Sequence, residues 1–159
     1  MRPIFGPSTI ASAEIQTGLY YGPQTRPSQP FLPLTESPKP LHVLLVEDEL
    51  VVRQVLTEML QTQGHTVTST DDPEHALELA AAGGGFDLLI TDLVMRKLDG
   101  FELAAAVAER APDLKVIFIS GYTSETARLG LRDDGVAFLQ KPFKIEELEA
   151  KVREVLGDP

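Results

Sequence analysis

The stretch LLVEDE at residues 44–49 ends an apolar run in three acidic side chains. Three later apolar runs also end in a polar residue, and these residues are Asp92, Ser120 and Lys141. Each run is typical of a buried strand. The carboxyl ends of strands in an open parallel sheet lie side by side, so we expect these polar side chains to converge in one crevice. Carboxylates, a hydroxyl and an amine gathered there suit a hard cation and a phosphoryl group.

Strand and helix patterns alternate from residue 41 onward. The predicted strands are 42–46, 66–70, 87–91, 115–119 and 136–139, and the predicted helices are about 49–63, 73–82, 100–110, 123–131 and 144–156. Five alternations predict an α/β fold, a doubly wound, flavodoxin-like parallel sheet with helices on both faces. The strand order 2-1-3-4-5 fits a chain of this length. That order makes strands one and three neighbours, which places Glu47 and Asp48 beside Asp92.

Local signals support the helix boundaries. Gly64 is expected to end the first helix, and Asp72 is expected to cap the second, with Pro73 in its first position. The helical spacing predicts one apolar face on the first helix, made of Val52, Val55, Leu56, Met59 and Leu60. On the third helix it predicts a face made of Phe101, Ala104, Ala105 and Ala108.

The first 40 residues differ in composition from the rest of the chain. They hold eight of the 12 prolines and carry a net charge of +1, which leaves −11 on residues 41–159. Frequent proline prevents a long helix or a sheet interior. We therefore interpret residues 1–40 as a proline-rich, disordered tail or linker, with a docking peptide as the alternative, and residues 41–159 as the folded domain.

Composition excludes several classes of function. A net charge of −10 argues against direct binding of nucleic acid or of an anionic membrane, because both need a basic surface. No apolar stretch approaches the roughly 20 residues of a membrane span. The chain has no cysteine, which fits a cytoplasmic protein. Its three histidines lack the spacing of metal ligands, and we interpret them as surface or loop residues.

The chemistry of the predicted crevice follows from its residue types. Asp48 and Asp92 would repel each other unless a cation lay between them. Mg²⁺ prefers oxygen ligands and keeps several waters, and the backbone carbonyl of Val94 is a further candidate ligand. A carboxylate such as Asp92 is a nucleophile toward phosphorus, and Lys141 and Ser120 would contact the phosphoryl oxygens. Helix capping is the alternative for the acidic run, but it does not explain Asp92.

Four segments resemble the receiver domain of two-component response regulators. They are LVEDE at 45–49, TDLVM at 91–95 followed by Asp99-Gly100, ISGYT at 119–123, and FLQKPF at 138–143. The resemblance covers roughly residues 41–157, and the order and spacing of the segments are more specific than any one of them. The last two segments are most similar to receivers attached to hybrid sensor histidine kinases.

The resemblance implies a role for each matching residue. Asp92 would be the phosphoacceptor. Asp48 would bind Mg²⁺ directly and Glu47 through water, together with Asp92 and the Val94 carbonyl. Ser120 and Phe138 would be switch residues. Lys141 would bind the phosphoryl group, assist the chemistry at Asp92 and precede a cis proline.

The resemblance also implies partners. A sensor histidine kinase or a histidine phosphotransfer protein would donate the phosphoryl group, the downstream protein target is not defined, and dimerisation on phosphorylation is compatible with the family. Arg96 stands where the family often has proline, which is a departure from the pattern. Val94 and Tyr122 offer no carboxylate or amide to orient an attacking water, so we expect slow self-dephosphorylation, over hours. We therefore expect no turnover enzyme activity.

Two other interpretations of these residues remain open. An aspartate-nucleophile phosphatase needs a second aspartate two residues after the nucleophile, and Val94 occupies that position. A pseudo-receiver that only binds proteins would be expected to lack Asp92, Asp48 or Lys141, and all three are present.

Overall fold

The computed structural model describes residues 39–121 and 136–157. The five strands are β1 (His42–Val46), β2 (Thr66–Thr70), β3 (Leu88–Asp92), β4 (Lys115–Ser120) and β5 (Ala137–Gln140). The helices in these ranges are α1 (Leu50–Thr62), α2 (Pro73–Ala81), α3 (Gly100–Ala108) and the last helix (Ile145–Leu156). These elements confirm the predicted α/β alternation, and most boundaries differ from the sequence prediction by one or two residues.

The five strands form one parallel sheet in the order β2-β1-β3-β4-β5. This order confirms the predicted doubly wound fold. Val46 at the end of β1 pairs with Thr91 on β3, and Asp92 pairs with Ile119 on β4. The strand ends are therefore aligned, and the residue after Val46 lies beside Asp92.

Two hydrophobic clusters pack on opposite faces of the sheet. Alternate residues of β1 point to opposite faces, so Val43 and Leu45 join one cluster while Leu44 and Val46 join the other. The first face is covered by α1 and the last helix, which contribute Leu56, Leu60, Leu148 and Val152. The second face is covered by α2 and α3, which contribute Ala76, Ala80, Leu103 and Val107.

Helix signals in the sequence are confirmed at two boundaries. Asp72 accepts a hydrogen bond from the backbone N–H of Glu74, and Pro73 begins α2. Gly64 follows α1 with a φ of 89°, a left-handed conformation that glycine adopts without a steric penalty.

Two predicted helix faces were wrong in part, and one residue interpreted as a surface or loop residue lies in a loop but is buried. The buried residues of α3 are Gly100, Leu103 and Val107, whereas Ala105 and Ala108 are exposed. The larger side chains bury more apolar area, so they determine which face of α3 meets the sheet. Val55 on α1 is 45% exposed, and His65 is buried with 6% of its surface accessible.

Two predictions fall outside the described residues. The predicted fourth helix at 123–131 lies there, and so does the proline-rich tail except for Lys39 and Pro40. The division of the chain at residues 40 and 41 stays a prediction.

Candidate functional site

Four of the predicted site residues meet at the carboxyl edge of the sheet. Glu47 and Asp48 follow β1, Asp92 ends β3, and Lys141 follows β5. Carboxylate oxygens of the three acidic residues all lie within 4.8 Å of one another. The parallel topology brings these residues together although Asp48 and Asp92 are far apart in sequence.

Lys141 joins two of the carboxylates. Its Nζ donates to Oε2 of Glu47 at 2.9 Å and to Oδ2 of Asp92 at 3.1 Å. The Glu47 side chain is 1% exposed, the Asp92 side chain 13% and the Lys141 side chain 22%. One ammonium group therefore lies between two carboxylates in a largely water-excluded setting, where ionic hydrogen bonds are stronger than in water.

Burial and charge act on this group in opposite ways. Burial raises the pKa of the Glu47 carboxyl, and the charge of Asp92 adds to the rise although the Lys141 hydrogen bond opposes it. Burial alone would lower the pKa of Lys141, but the hydrogen bond to Glu47 and the charge of Asp92 outweigh it and raise that pKa. Desolvation dominates at Glu47 because it is the more deeply buried partner. Lys141 is therefore held in its charged form.

Each oxygen of Glu47 already accepts a hydrogen bond. Oε1 accepts from the backbone N–H of Glu49 at 3.1 Å, and Oε2 accepts from Lys141. The backbone carbonyl of Glu47 accepts from the guanidinium of Arg53 at 2.6 Å. These contacts fix the carboxylate at the end of β1.

The backbone around Asp92 is held from two sides. The N–H of Leu93 donates to the carbonyl of Ile119 at 2.8 Å, and the N–H of Gly100 donates to the carbonyl of Leu93 at 2.9 Å. A Cβ at Gly100 would lie 2.4 Å from the carbonyl oxygen of Asp92. Glycine is therefore required where α3 begins beneath the site.

Helix α3 begins with a capping box. Asp99 accepts from the N–H of Glu102 at 2.8 Å, and the side chain of Glu102 accepts from the N–H of Asp99. This reciprocal pair satisfies two backbone donors and fixes the entry of the chain into α3. The loop between β3 and α3 is thus anchored at both ends.

Two further predicted site residues, Ser120 and Phe138, lie on the expected strands, and the predicted cis bond is present. Ser120 ends β4 with 2% exposure, and its backbone carbonyl accepts from the N–H of Lys141 at 2.8 Å. The bond between Lys141 and Pro142 is cis. Phe138 on β5 packs in an aromatic group, 5.5 Å from the ring of Phe118 and 6.0 Å from the ring of Phe101.

Val94 lies on the rim of the site. Its backbone N–H donates to Oδ1 of Asp92 at 3.3 Å, while its side chain is 54% exposed. The part of Val94 that contacts Asp92 is therefore its N–H. A ligand role for its carbonyl stays a prediction.

Sequence reasoning missed two arginines of the site. Arg53 contacts the Glu47 carbonyl, and Nε of Arg96 lies 3.3 Å from Oδ2 of Asp48. Arg53 could have been proposed because it lies in the first turn of α1, shortly after the three acidic residues. The signal for Arg96 was its departure from the usual proline.

None of the helices in ranges 39–121 and 136–157 combines the length and apolar character that a membrane crossing requires.

Comparison with known proteins agrees with the fold and the site. The family model of the response regulator receiver domain matches residues 43–153. The chain therefore belongs to the receiver domains of two-component systems.

Two relatives from Brucella abortus (strain 2308) show how such domains occur. The sensor kinase CckA is 39% identical over 116 residues, which are 72% of this chain but 12% of that kinase. The response regulator receiver protein CpdR is 36% identical over 119 residues, which are 72% of this chain and 95% of CpdR. The match thus spans a small part of one relative and nearly all of the other.

Solved structures give the same assignment. The receiver domain from the hybrid histidine kinase CckA aligns with a TM-score of 0.61 and 36% identity, covering 72% of this chain and 98% of that one. The chemotaxis protein CheY4 of Vibrio cholerae aligns with a TM-score of 0.63 and 28% identity, covering 74% and 99%. The resemblance to receivers of hybrid kinases inferred from the sequence is confirmed.

Proposed function

We propose that this receiver domain takes a phosphoryl group from a phosphohistidine onto Asp92 in a phosphorelay, with Mg²⁺, and thereby switches a protein-contact surface. The observation that carries the proposal is the position of Asp92. Its Oδ2 lies 3.1 Å from Nζ of Lys141, and two more carboxylates lie within 4.8 Å. A nucleophile, a fixed cation and oxygen ligands for a metal are the parts that phosphoryl transfer needs.

The transfer is a substitution at phosphorus. A carboxylate oxygen of Asp92 forms the new bond to phosphorus, and the bond from phosphorus to the donor imidazole nitrogen breaks. The bonding electrons leave with the imidazole. Lys141 stabilises the charge on the phosphoryl oxygens, which is the main task of a protein in this reaction.

The donor atoms of the site fit Mg²⁺. They are carboxylate oxygens from Glu47, Asp48 and Asp92, and hard oxygens are the ligands that Mg²⁺ prefers. Asp48 and Asp92 would bind the ion directly, with the carbonyl of Val94 as a further ligand. Glu47 would act through water, because its side chain is the most deeply buried of the site, at 1% exposure against 13% for Asp92. When bound, the ion would offset the negative charge of the carboxylates and of the incoming phosphoryl group.

Phosphorylation of Asp92 would change the positions of side chains on the strands β4 and β5. Ser120 ends β4 directly after Ile119, the residue that pairs with Asp92. This position supports the proposal that its hydroxyl moves onto the phosphoryl group. Phe138 on β5 would follow through its packing against Phe118. A side-chain rearrangement of this kind would transmit phosphorylation to the surface near β5.

The rim of the crevice suits a protein donor. Leu50, Val51 and Val94 are each more than half exposed, and each follows Asp48 or Asp92 by two or three residues. Contiguous exposed apolar side chains mark protein contacts, and we infer that these three form one such patch. A histidine kinase or a histidine phosphotransfer protein would cover them while it brings its phosphohistidine to Asp92.

The two alternative functions, a phosphatase and a pseudo-receiver, have less support. The phosphatase needs a carboxylate where Val94 stands, and Val94 contributes a backbone N–H there instead. The pseudo-receiver lacks part of the site by definition, whereas here Asp48, Asp92 and Lys141 lie together. Asp92 would carry one phosphoryl group and lose it slowly, so the chain is not a turnover enzyme.

The test is incorporation of phosphate from acetyl phosphate by the full chain, with and without Mg²⁺. We expect magnesium-dependent labelling in the native protein and in Asp71→Asn, a control carboxylate near the same edge, and none in Asp92→Asn. Circular dichroism checks that each variant is folded. Labelling that survives in Asp92→Asn would contradict the proposal. So would a folded native protein that neither labels nor changes its spectrum with beryllofluoride and Mg²⁺.

A further inference from the structure

Arg96 makes two contacts with one carboxylate oxygen of Asp48. Its Nε lies 3.3 Å from Oδ2 of Asp48, and its backbone N–H donates to the same oxygen at 3.4 Å. Among the described residues, these are the hydrogen bonds that reach the Asp48 side chain. The guanidinium therefore occupies an oxygen of the residue expected to bind the metal.

The guanidinium is held only at the surface. The Arg96 side chain is 86% exposed and that of Asp48 is 22% exposed. A cleft of about 340 Å³ adjoins them, lined by Asp48, Asp71, Asp72, Pro73, Met95, Arg96 and Lys97. The arginine thus has room to move away from Asp48 without disturbing the core.

The guanidinium contact depends on arginine at position 96, whereas any residue except proline would supply the backbone N–H. Receivers often have proline there, and proline has neither a backbone N–H nor a charge. Arginine supplies a charge that persists at any pH at which the protein is folded. The charged contact with Asp48 therefore comes from the side chain at position 96 and not from the backbone.

We propose that Arg96 competes with the divalent cation for Asp48 and so sets the affinity of the site for Mg²⁺. The inference rests on the proposed function, since it takes Asp48 as a metal ligand. The cation and the guanidinium are like charges that repel each other at this carboxylate, so metal binding weakens or breaks the ion pair with Arg96. The free energy lost from that ion pair is subtracted from the free energy of metal binding. The chain would then need more Mg²⁺ for phosphorylation than it would without the arginine.

The next residue offers a matched control. Nζ of Lys97 lies 3.0 Å from Oδ2 of Asp72, at the start of α2. Removing the charge of Lys97 changes the net charge of the chain as much as removing that of Arg96. It leaves the contact with Asp48 intact, so it reports the general electrostatic effect alone.

The experiment is calorimetric titration of the metal-free full chain with MgCl₂ at low salt. Native protein, Arg96→Gln, Lys97→Gln and Asp48→Asn are compared. We expect Arg96→Gln to bind Mg²⁺ about two- to fivefold more tightly, the range that an exposed ion pair allows. Lys97→Gln should show a smaller change, and Asp48→Asn should lose the binding.

Two results would overturn the inference alone, with the proposed function intact. One is an affinity in Arg96→Gln equal to that of the native protein, and the other is an equal gain in Lys97→Gln. A folded native protein and a folded Arg96→Gln variant that both fail to bind Mg²⁺ would overturn the metal role itself, and the inference with it. Binding in Asp48→Asn as tight as in the native protein would do the same, because Asp48 would then not be a ligand of the cation.

Discussion

Lys141 and Glu47 form an ion pair at 2.9 Å across the carboxyl edge of the sheet. Lys141 follows β5 and Glu47 follows β1, and the strands β3 and β4 lie between them. The Glu47 side chain is only 1% exposed. A buried carboxylate is costly unless it is paired, so this lysine stabilises the fold as well as the site.

Replacing Lys141 by Met tests that dual role. The variant keeps an unbranched apolar side chain but leaves Glu47 buried without its cation. We expect the free energy of unfolding to fall by about 2–4 kcal/mol in metal-free buffer, measured by urea denaturation. Adding Glu47→Gln to this variant should restore part of the loss, because the second change removes the unpaired charge.

An exposed ion pair on the last helix provides the comparison. Nζ of Lys151 lies 2.8 Å from Glu154, whose side chain is 65% exposed. Lys151→Met should cost less than about 1 kcal/mol. Equal losses of unfolding free energy in the Lys141 and Lys151 variants would show that the burial of Glu47 does not determine the loss of stability.

Gly100 is a second residue that affects both the stability of the fold and the geometry of the site. A Cβ there would lie 2.4 Å from the carbonyl oxygen of Asp92, so Gly100→Ala must move the backbone of one of them. We expect a loss of about 1–3 kcal/mol in unfolding free energy and slower labelling from acetyl phosphate. Gly121→Ala is the control, since an added Cβ there meets no described atom within 4 Å. A Gly100→Ala protein as stable as the native one would refute the steric argument.

Much of the fold follows from local rules in the sequence. The Asp72-Pro73 signal predicts the start of α2, and the apolar runs predict four of the five strands within one or two residues. The convergence of Asp48 and Asp92 was predicted because parallel strands align their carboxyl ends. These features follow from the periodicity of apolar residues and from the alternation of strands and helices, and both can be seen in the sequence.

Contacts that depend on packing were not predictable in the same way. The sequence predicts that His65 is a surface or loop residue. It lies in the loop after α1, but its side chain is buried. Leu103 and Val107, not the alanines, define the inner face of α3. The contact between Arg96 and Asp48 depends on the path of a loop whose ends are fixed by Gly100 and β3. None of these features has a periodic signal.

Burial of His65 predicts a pH dependence. Burial lowers its pKa from the ordinary 6.5, although the charge of Glu149 opposes the shift. Its Nδ1 accepts from the N–H of Leu41 at 3.3 Å, which requires the neutral ring. The unfolded chain binds the proton more readily, so the stabilising effect is present above pH 6.5 and is lost as the pH falls through the lower, folded value.

His65→Asn tests this dependence, because asparagine keeps an acceptor but does not titrate. We expect the native protein to lose more unfolding free energy than the variant when the pH falls from about 7.5 to 5.5. Urea denaturation at several pH values measures both. Parallel stability curves for the two proteins would show that His65 does not contribute.

Val94 is expected to determine how long the phosphorylated state lasts. Its side chain is 54% exposed on the rim of the site and carries no group that orients an attacking water. Hydrolysis of the aspartyl phosphate should therefore be slow, on the scale of hours. Val94→Asn should speed the loss of label about tenfold by positioning that water, whereas Val94→Ala should not, although it opens the same space. The rate is followed after removal of acetyl phosphate, and equal rates in the two variants would mean that access, not orientation of water, controls the lifetime.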